Sequence, residues 1–310
     1  MTESTITDSG VPIVVADFDG AGAPLLLLHG AGSNLAALRP LATALTSRHR
    51  VVAVDLRGHG RSGDGPWTWD AVLGDLAAVV KALALDPPAV VGHSLGGMVA
   101  AHWASHHHDC PGVINLDGNP SPTHPEQLAG MDPADAEEAL RRLHDTFAAM
   151  AAAMSAPLTD EQLAAAEAAQ QQVAQRYGEA GQALVDGFRR SLRRQADGTT
   201  RLRPGADTVA ALQTAIASFD LLGAYRRATA PALHLLATED LPEQQAFGEL
   251  YAAYRTGLRR DLAAIAAQRP ELRVQPLPGA SHALAAEHPA RLAALISAFL
   301  AGEPLPAWDG

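Results

Sequence analysis

One serine stands where a serine can become a nucleophile. Gly92-His93-Ser94-Leu95-Gly96-Gly97 carries the pattern G-x-S-x-G between an apolar run at 89–91 and a helical pattern at 95–106. A turn that tight needs small residues two positions either side of the serine. It lifts the hydroxyl above the end of the strand, at the positive end of the next helix. A hydroxyl at its free pKa attacks poorly and needs a base. His282, in Gly279-Ala280-Ser281-His282, is the favoured base because it lies in a loop directly after a strand pattern. It would take the serine proton and return it to the leaving group. The rivals are His29, His59, His93, the run His106-His107-His108, and His288 at a helix start before Pro289.

The elements that must position these residues are legible as alternating patterns. Strands are expected at 11–18, 25–28, 51–54, 89–91 and 113–116, with helices at 35–45, 69–85 and 95–106 between them. Strand, helix, strand at this spacing implies right-handed crossovers and a mostly parallel sheet. The rhythm breaks at Gly118. From there to Tyr225 no convincing strand is expected, only helical patterns at 133–154, 160–177, 181–194 and 208–222 and a polar loop at 195–204. Strands return at 232–236 and 272–277, separated by a helix over 242–268 and followed by an amphipathic helix at 290–300. The expected organisation is a core of 1–117 and 226–310, with 118–225 inserted as a helical lid.

Composition narrows the classes. The 310 residues are 47% hydrophobic and 18% charged, which is globular, and 34 acids against 23 bases give a net charge of −11. That balance disfavours a nucleic-acid partner. A single cysteine, Cys110, excludes an internal disulfide and a cysteine-based zinc site. No apolar run approaches the roughly 20 residues of a membrane span. The polar start lacks a signal-peptide pattern, so a cytoplasmic protein is expected. His102 and His106 have ligand-like spacing on one helix face, but imidazoles at a helix C-terminus suit its dipole, and no metal is expected.

Four motifs in order resemble the α/β-hydrolase family, over 11–300 and least through the insert. Leu28-His29-Gly30-Ala31-Gly32 looks like its His-Gly oxyanion loop. Asp55-Leu56-Arg57-Gly58-His59-Gly60-Arg61-Ser62 looks like its D-x-R-G-x-G-x-S loop. Gly92 to Gly96 is the nucleophile elbow, and Gly279 to His282 the late G-x-x-H. The resemblance implies an oxyanion hole from the backbone N–H groups of Ala31 and Leu95. It leaves two acids open. Asp240 follows the strand at 232–236 where the family's usual acid falls, although its interval to His282 is long and Pro242 follows too closely for D-x-x-x-P. Asp117 follows the strand at 113–116, where some members, including certain lactonases, place theirs. Asp240 is narrowly favoured. His29, Gly30, His93, Met150 and Met154 are candidate pocket residues. Met131, Phe147, Trp67 and Trp69 could join them, although packing is the commoner role of such residues.

The expected function is hydrolysis of a carboxylic ester or lactone of a small to medium hydrophobic substrate, through an acyl-enzyme on Ser94 and without a cofactor. Acyl transfer or cofactor-free perhydrolysis on the same triad, or a ligand-binding member without turnover, are the alternatives. A serine at the elbow argues against epoxide hydrolases and haloalkane dehalogenases, which use a carboxylate there. Arg189-Arg190 and Arg193-Arg194 are expected on a solvated face, paired with acids.

Overall fold

The computed structural model describes residues 1–308 except Asp86 and Ser155, and at 152–154, 179 and 243 the backbone alone. Its strands are β1 (Thr2–Ile6), β2 (Ile13–Asp17), β3 (Ala23–Leu28), β4 (His49–Val54), β5 (Ala89–His93), β6 (Val113–Leu116), β7 (Leu192–Arg194), β8 (Thr200–Leu202), β9 (Ala232–Glu239) and β10 (Leu272–Ser281). The helices are α1 (Arg39–Leu45), α2 (Trp69–Ala82), α3 (Leu95–Ala104), α4 (Pro133–Met154), α5 (Asp160–Ala174), α6 (Gly181–Arg190), α7 (Ala206–Ala217), α8 (Leu221–Arg227), α9 (Gly248–Ala266), α10 (Leu284–Glu287) and α11 (Pro289–Leu300).

Eight strands form one sheet in the order β1-β2-β4-β3-β5-β6-β9-β10. The pairs β1–β2 and β2–β4 are antiparallel; every other pair is parallel. The central strands are mostly apolar because both their faces are covered. Side chains alternate between two cores, as a strand's period of two requires. Leu26, Leu28, Val52 and Val54 enter one, with α2, α3, α8 and α9. Leu25, Leu27, Val51 and Ala53 enter the other, with α1, α10 and α11.

Three expectations need correction. The polar N-terminus forms β1, an exposed edge strand against β2; a strand with no buried face carries no apolar signal. The predicted helix over 181–194 stops at Arg190, and β7 turns back into β8 as a hairpin in a region read as strandless. These strands are three residues each and rich in arginine, so neither shows alternation. Asp197 closes the turn by accepting the Thr199 N–H at 2.9 Å. The helix expected over 242–268 is a 3-10 turn, Pro242–Phe247, followed by α9. Helix α8 straddles the 225/226 division, with Leu221, Ala224 and Tyr225 in the core. Among the described residues no helix is long and apolar enough to cross a membrane.

Candidate active site

Ser94 stands between β5 and α3 with φ 53° and ψ −117°, a left-handed conformation that points its side chain out of the turn. The crossing is tight enough that a Cβ on Gly92 would overlap the Gly96 carbonyl, so only glycine fits there. The Ser94 N–H donates to Leu116 O at 2.9 Å, and the Gly96 N–H to His29 O at 3.1 Å, which ties the elbow to β6 and to the loop after β3.

His282 follows β10. Its Nε2 lies 3.0 Å from Ser94 Oγ and its Nδ1 2.7 Å from Asp117 Oδ2. A carboxylate only accepts, so Nδ1 carries the proton and Nε2 is free to take the serine's. Burial pushes the imidazole pKa down, but the Asp117 hydrogen bond and charge outweigh it, and the net shift is upward. Asp117 ends β6 at φ 52°; its Oδ1 accepts from Ala237 N at 3.1 Å and from Asn119 Nδ2 at 3.2 Å. The acid beside His282 is therefore Asp117, not the narrowly favoured Asp240. Asp240 is held by Arg255 of α9, which occupies its carboxylate and leaves it unbonded to His282.

The N–H groups of Ala31 and Leu95 have no acceptor among the described residues. Gly30 lies against Ser94: a Cβ there would approach the serine Cβ to 3.0 Å. His29 is fully buried and faces away from the cleft. Its Nδ1 donates to Gly30 O at 2.8 Å, its Nε2 accepts from Leu56 N at 3.0 Å, and burial lowers its pKa to about 4. His93 donates from Nε2 to His282 O at 2.7 Å, so it supports the backbone of the base; burial and the neighbouring His282 lower its pKa to about 4.

Two cavities meet at Ser94 and His282. The narrower, about 260 Å³, is walled by Met98, Leu143, Phe147, Ile216 and Leu258, with Arg255 among its polar residues. The broader, about 680 Å³, runs past Gly30 and Ala31 to Met150, Val173, Leu184 and Phe188. Phe147 and Met150 thus line the site, whereas Met131, Trp67 and Trp69 pack in or against the core. The side chain of Met154 lies outside the described residues. His102 is packed against Trp69, Phe219 and His106, and among the described residues no three His, Cys, Asp or Glu side chains gather as metal ligands would. Arg190 is not solvated: it pairs with Asp55 and Glu3.

A sequence-family model described as the alpha/beta hydrolase family matches residues 25–295. The chain belongs to the alpha/beta hydrolase family. In this alpha/beta hydrolase, stretches resemble the 2-(acetamidomethylene)succinate hydrolase of Mesorhizobium japonicum, 35% identical over 104 residues, covering 33% of this chain and 37% of the relative. A pimeloyl-[acyl-carrier protein] methyl ester esterase of Chromobacterium violaceum is 40% identical over 90 residues, 29% of this chain and 34% of the relative. These matches span about a third of each curated relative. Solved structures are similar over nearly the whole chain. The crystal structure of E-2-(acetamidomethylene)succinate hydrolase has a TM-score of 0.72 at 26% identity, covering 97% of this chain and 99% of the other. The enol-lactonase of Burkholderia xenovorans has a TM-score of 0.62 at 21% identity, covering 97% and 100%, and supports the fold alone.

Sequence reasoning missed the polar residues behind Asp117. The signal was present: Asn115 interrupts the apolar run Val-Ile-Asn-Leu of β6 and is fully buried. A buried amide in such a strand must have partners.

Proposed function

We propose that this protein is a serine hydrolase that cleaves a carboxylic ester, or a lactone or related acyl bond, through an acyl-enzyme on Ser94. The observation that carries this reading is the unbroken chain from Asp117 through His282 to Ser94, at 2.7 and 3.0 Å. In the first step Ser94 Oγ attacks the substrate carbonyl carbon as His282 Nε2 takes its proton. The carbonyl oxygen becomes an anion, for which the N–H groups of Ala31 and Leu95 would be the donors. His282 then protonates the leaving group. In the second half water attacks the acyl-enzyme with His282 again as base, and the acid product leaves. Asp117 orients the imidazole and stabilises its charged form.

The apolar walls favour a small to medium substrate with an apolar part on each side of the scissile bond. The insert, residues 118–225, would act as a lid, since Leu143, Phe147, Met150, Val173 and Leu184 all belong to it. Relatives named as a methyl ester esterase and a 2-(acetamidomethylene)succinate hydrolase support the reaction class. The test is labelling with a fluorophosphonate and mass spectrometry of the adduct. An adduct on Ser94, absent in Ser94→Ala, is expected; no adduct on the wild-type protein would sink the activated-serine reading.

A further inference from the structure

Behind Asp117 three buried polar side chains form a chain that the proposed chemistry does not use. Asn115 of β6 and His234 of β9 face each other in register, and Tyr225 of α8 lies beside them; all three are fully buried. None of them lines either cavity at Ser94. The Asn115 amide brackets a single residue. The Gly118 N–H donates to Asn115 Oδ1 at 2.6 Å, and Asn115 Nδ2 donates to Gly118 O at 2.9 Å. A backbone N–H can meet only the amide oxygen and a carbonyl only the nitrogen, so the orientation of the amide is fixed by its partners. The second Nδ2 proton goes to Tyr225 Oη at 3.1 Å. Tyr225 Oη and His234 Nδ1, 2.8 Å apart, share the next hydrogen bond of the chain. Burial lowers the pKa of His234 to about 4.

The bracketed residue directly follows Asp117. An aspartate at φ 52° is in a strained conformation that persists only where its surroundings hold it. Gly118 also rests on the nucleophile turn, where a Cβ would collide with the Ser94 carbonyl. One fastening therefore fixes the acid's backbone relative to both Ser94 and β9. We propose that Asn115, itself held by Tyr225 and His234, is the positioning residue that aims the Asp117 carboxylate at His282. This rests on the reading of Asp117 as the triad acid.

The experiment compares Asn115→Ala, Tyr225→Phe and Asp117→Asn with the wild type on p-nitrophenyl butanoate across pH, with rates normalised to folded protein. A displacement of about 1 Å in a catalytic group costs on the order of 100-fold, so Asn115→Ala should lose about 10- to 100-fold in kcat with KM nearly unchanged. The acid limb of kcat/KM should move to lower pH, because His282 loses the carboxylate that raises its pKa. Tyr225→Phe keeps the ring and removes only the hydroxyl. It should shift both readouts the same way by less, and it decides the matter if Asn115→Ala does not fold. A folded Asn115→Ala with wild-type kcat, or one that loses kcat with the acid limb unmoved, overturns the positioning role. If Asp117→Asn itself keeps wild-type turnover, the triad reading falls and takes this proposal with it. A crippled Asp117→Asn beside an unaffected Asn115→Ala sinks this proposal alone.

Discussion

Ser94 and Asp117 both occupy left-handed backbone, at φ 53° and 52°, each just past the C-terminal end of a central strand. Strain of this kind collects where a side chain must be presented away from the strand's own direction. With Asp117 as the acid, Asp117→Asn should lower kcat by about 10³- to 10⁴-fold, because the amide no longer holds the imidazole in the right tautomer. Asp240→Asn should stay within a few-fold of wild type; the reverse result would return the role to Asp240. In the wild type the acid limb of kcat/KM should lie above the ordinary histidine value. His282 must be neutral to accept the serine proton, and its pKa is raised. Ser94 and His282 were legible because their own neighbours in sequence define them. The acid was not. Both candidates follow a strand, and the choice depends on which carboxylate another element captures. Arg255 captures Asp240, and nothing in the sequence around Asp240 announces that contact.

Among elements, α6, which lies between β6 and β9, is tied to the first part of the chain through buried polar contacts. Arg190 donates from Nε to Asp55 Oδ2 at 2.8 Å and from its two terminal nitrogens to Glu3. Asn34, in the loop between β3 and α1, donates from Nδ2 to Gly187 O at 2.7 Å and to Ser191 Oγ at 2.9 Å. Removing one partner of a buried ion pair leaves the other desolvated and typically costs about 3–5 kcal/mol. Arg190→Ala should fall near the low end, since Asp55 keeps the N–H groups of Leu35 and Arg61. Arg189 pairs with Glu167 on the surface, and Arg189→Ala should cost no more than about 1 kcal/mol. Urea midpoints at constant m-value separate the two; equal small losses would mean that Arg190 is no fastening. The sequence pattern could not distinguish these adjacent arginines. Both end the same helix, and only the tertiary position of Asp55 and β1 separates them. The inner parallel strands β3 and β5 were legible because burial on both faces makes their runs at 25–28 and 89–91 continuously apolar. The β7–β8 hairpin lacked any such pattern.

Across the whole molecule, buried histidines set how stability responds to acid. Burial is the first cause for each of them: it lowers the pKa to about 4 at His29, His93 and His234 and to about 3 at His59. In the unfolded chain these side chains titrate near the ordinary histidine value, so between there and about pH 4 the unfolded state binds more protons than the folded one. Stability that is fully present above the unfolded pKa is therefore lost as pH falls. Each such group removes about 1.4 kcal/mol per pH unit within that window. His282 acts oppositely. Its raised pKa contributes stability that is fully present below the unfolded value and is lost as pH rises through the folded one, so its window lies above that of the four and leaves their slope unchanged. The expected result is a steep decline of the urea-unfolding free energy between pH 6.5 and pH 4.5, largely before ordinary carboxylates protonate. The matching signature is net uptake of several protons on unfolding near pH 5. The decline should be shallower in His59→Gln, which removes one titrating group while leaving the others buried. A flat profile down to pH 4.5 would mean that these histidines reach water and titrate normally in the folded state, contrary to the close packing of His29 and His59 beneath the loop after β3.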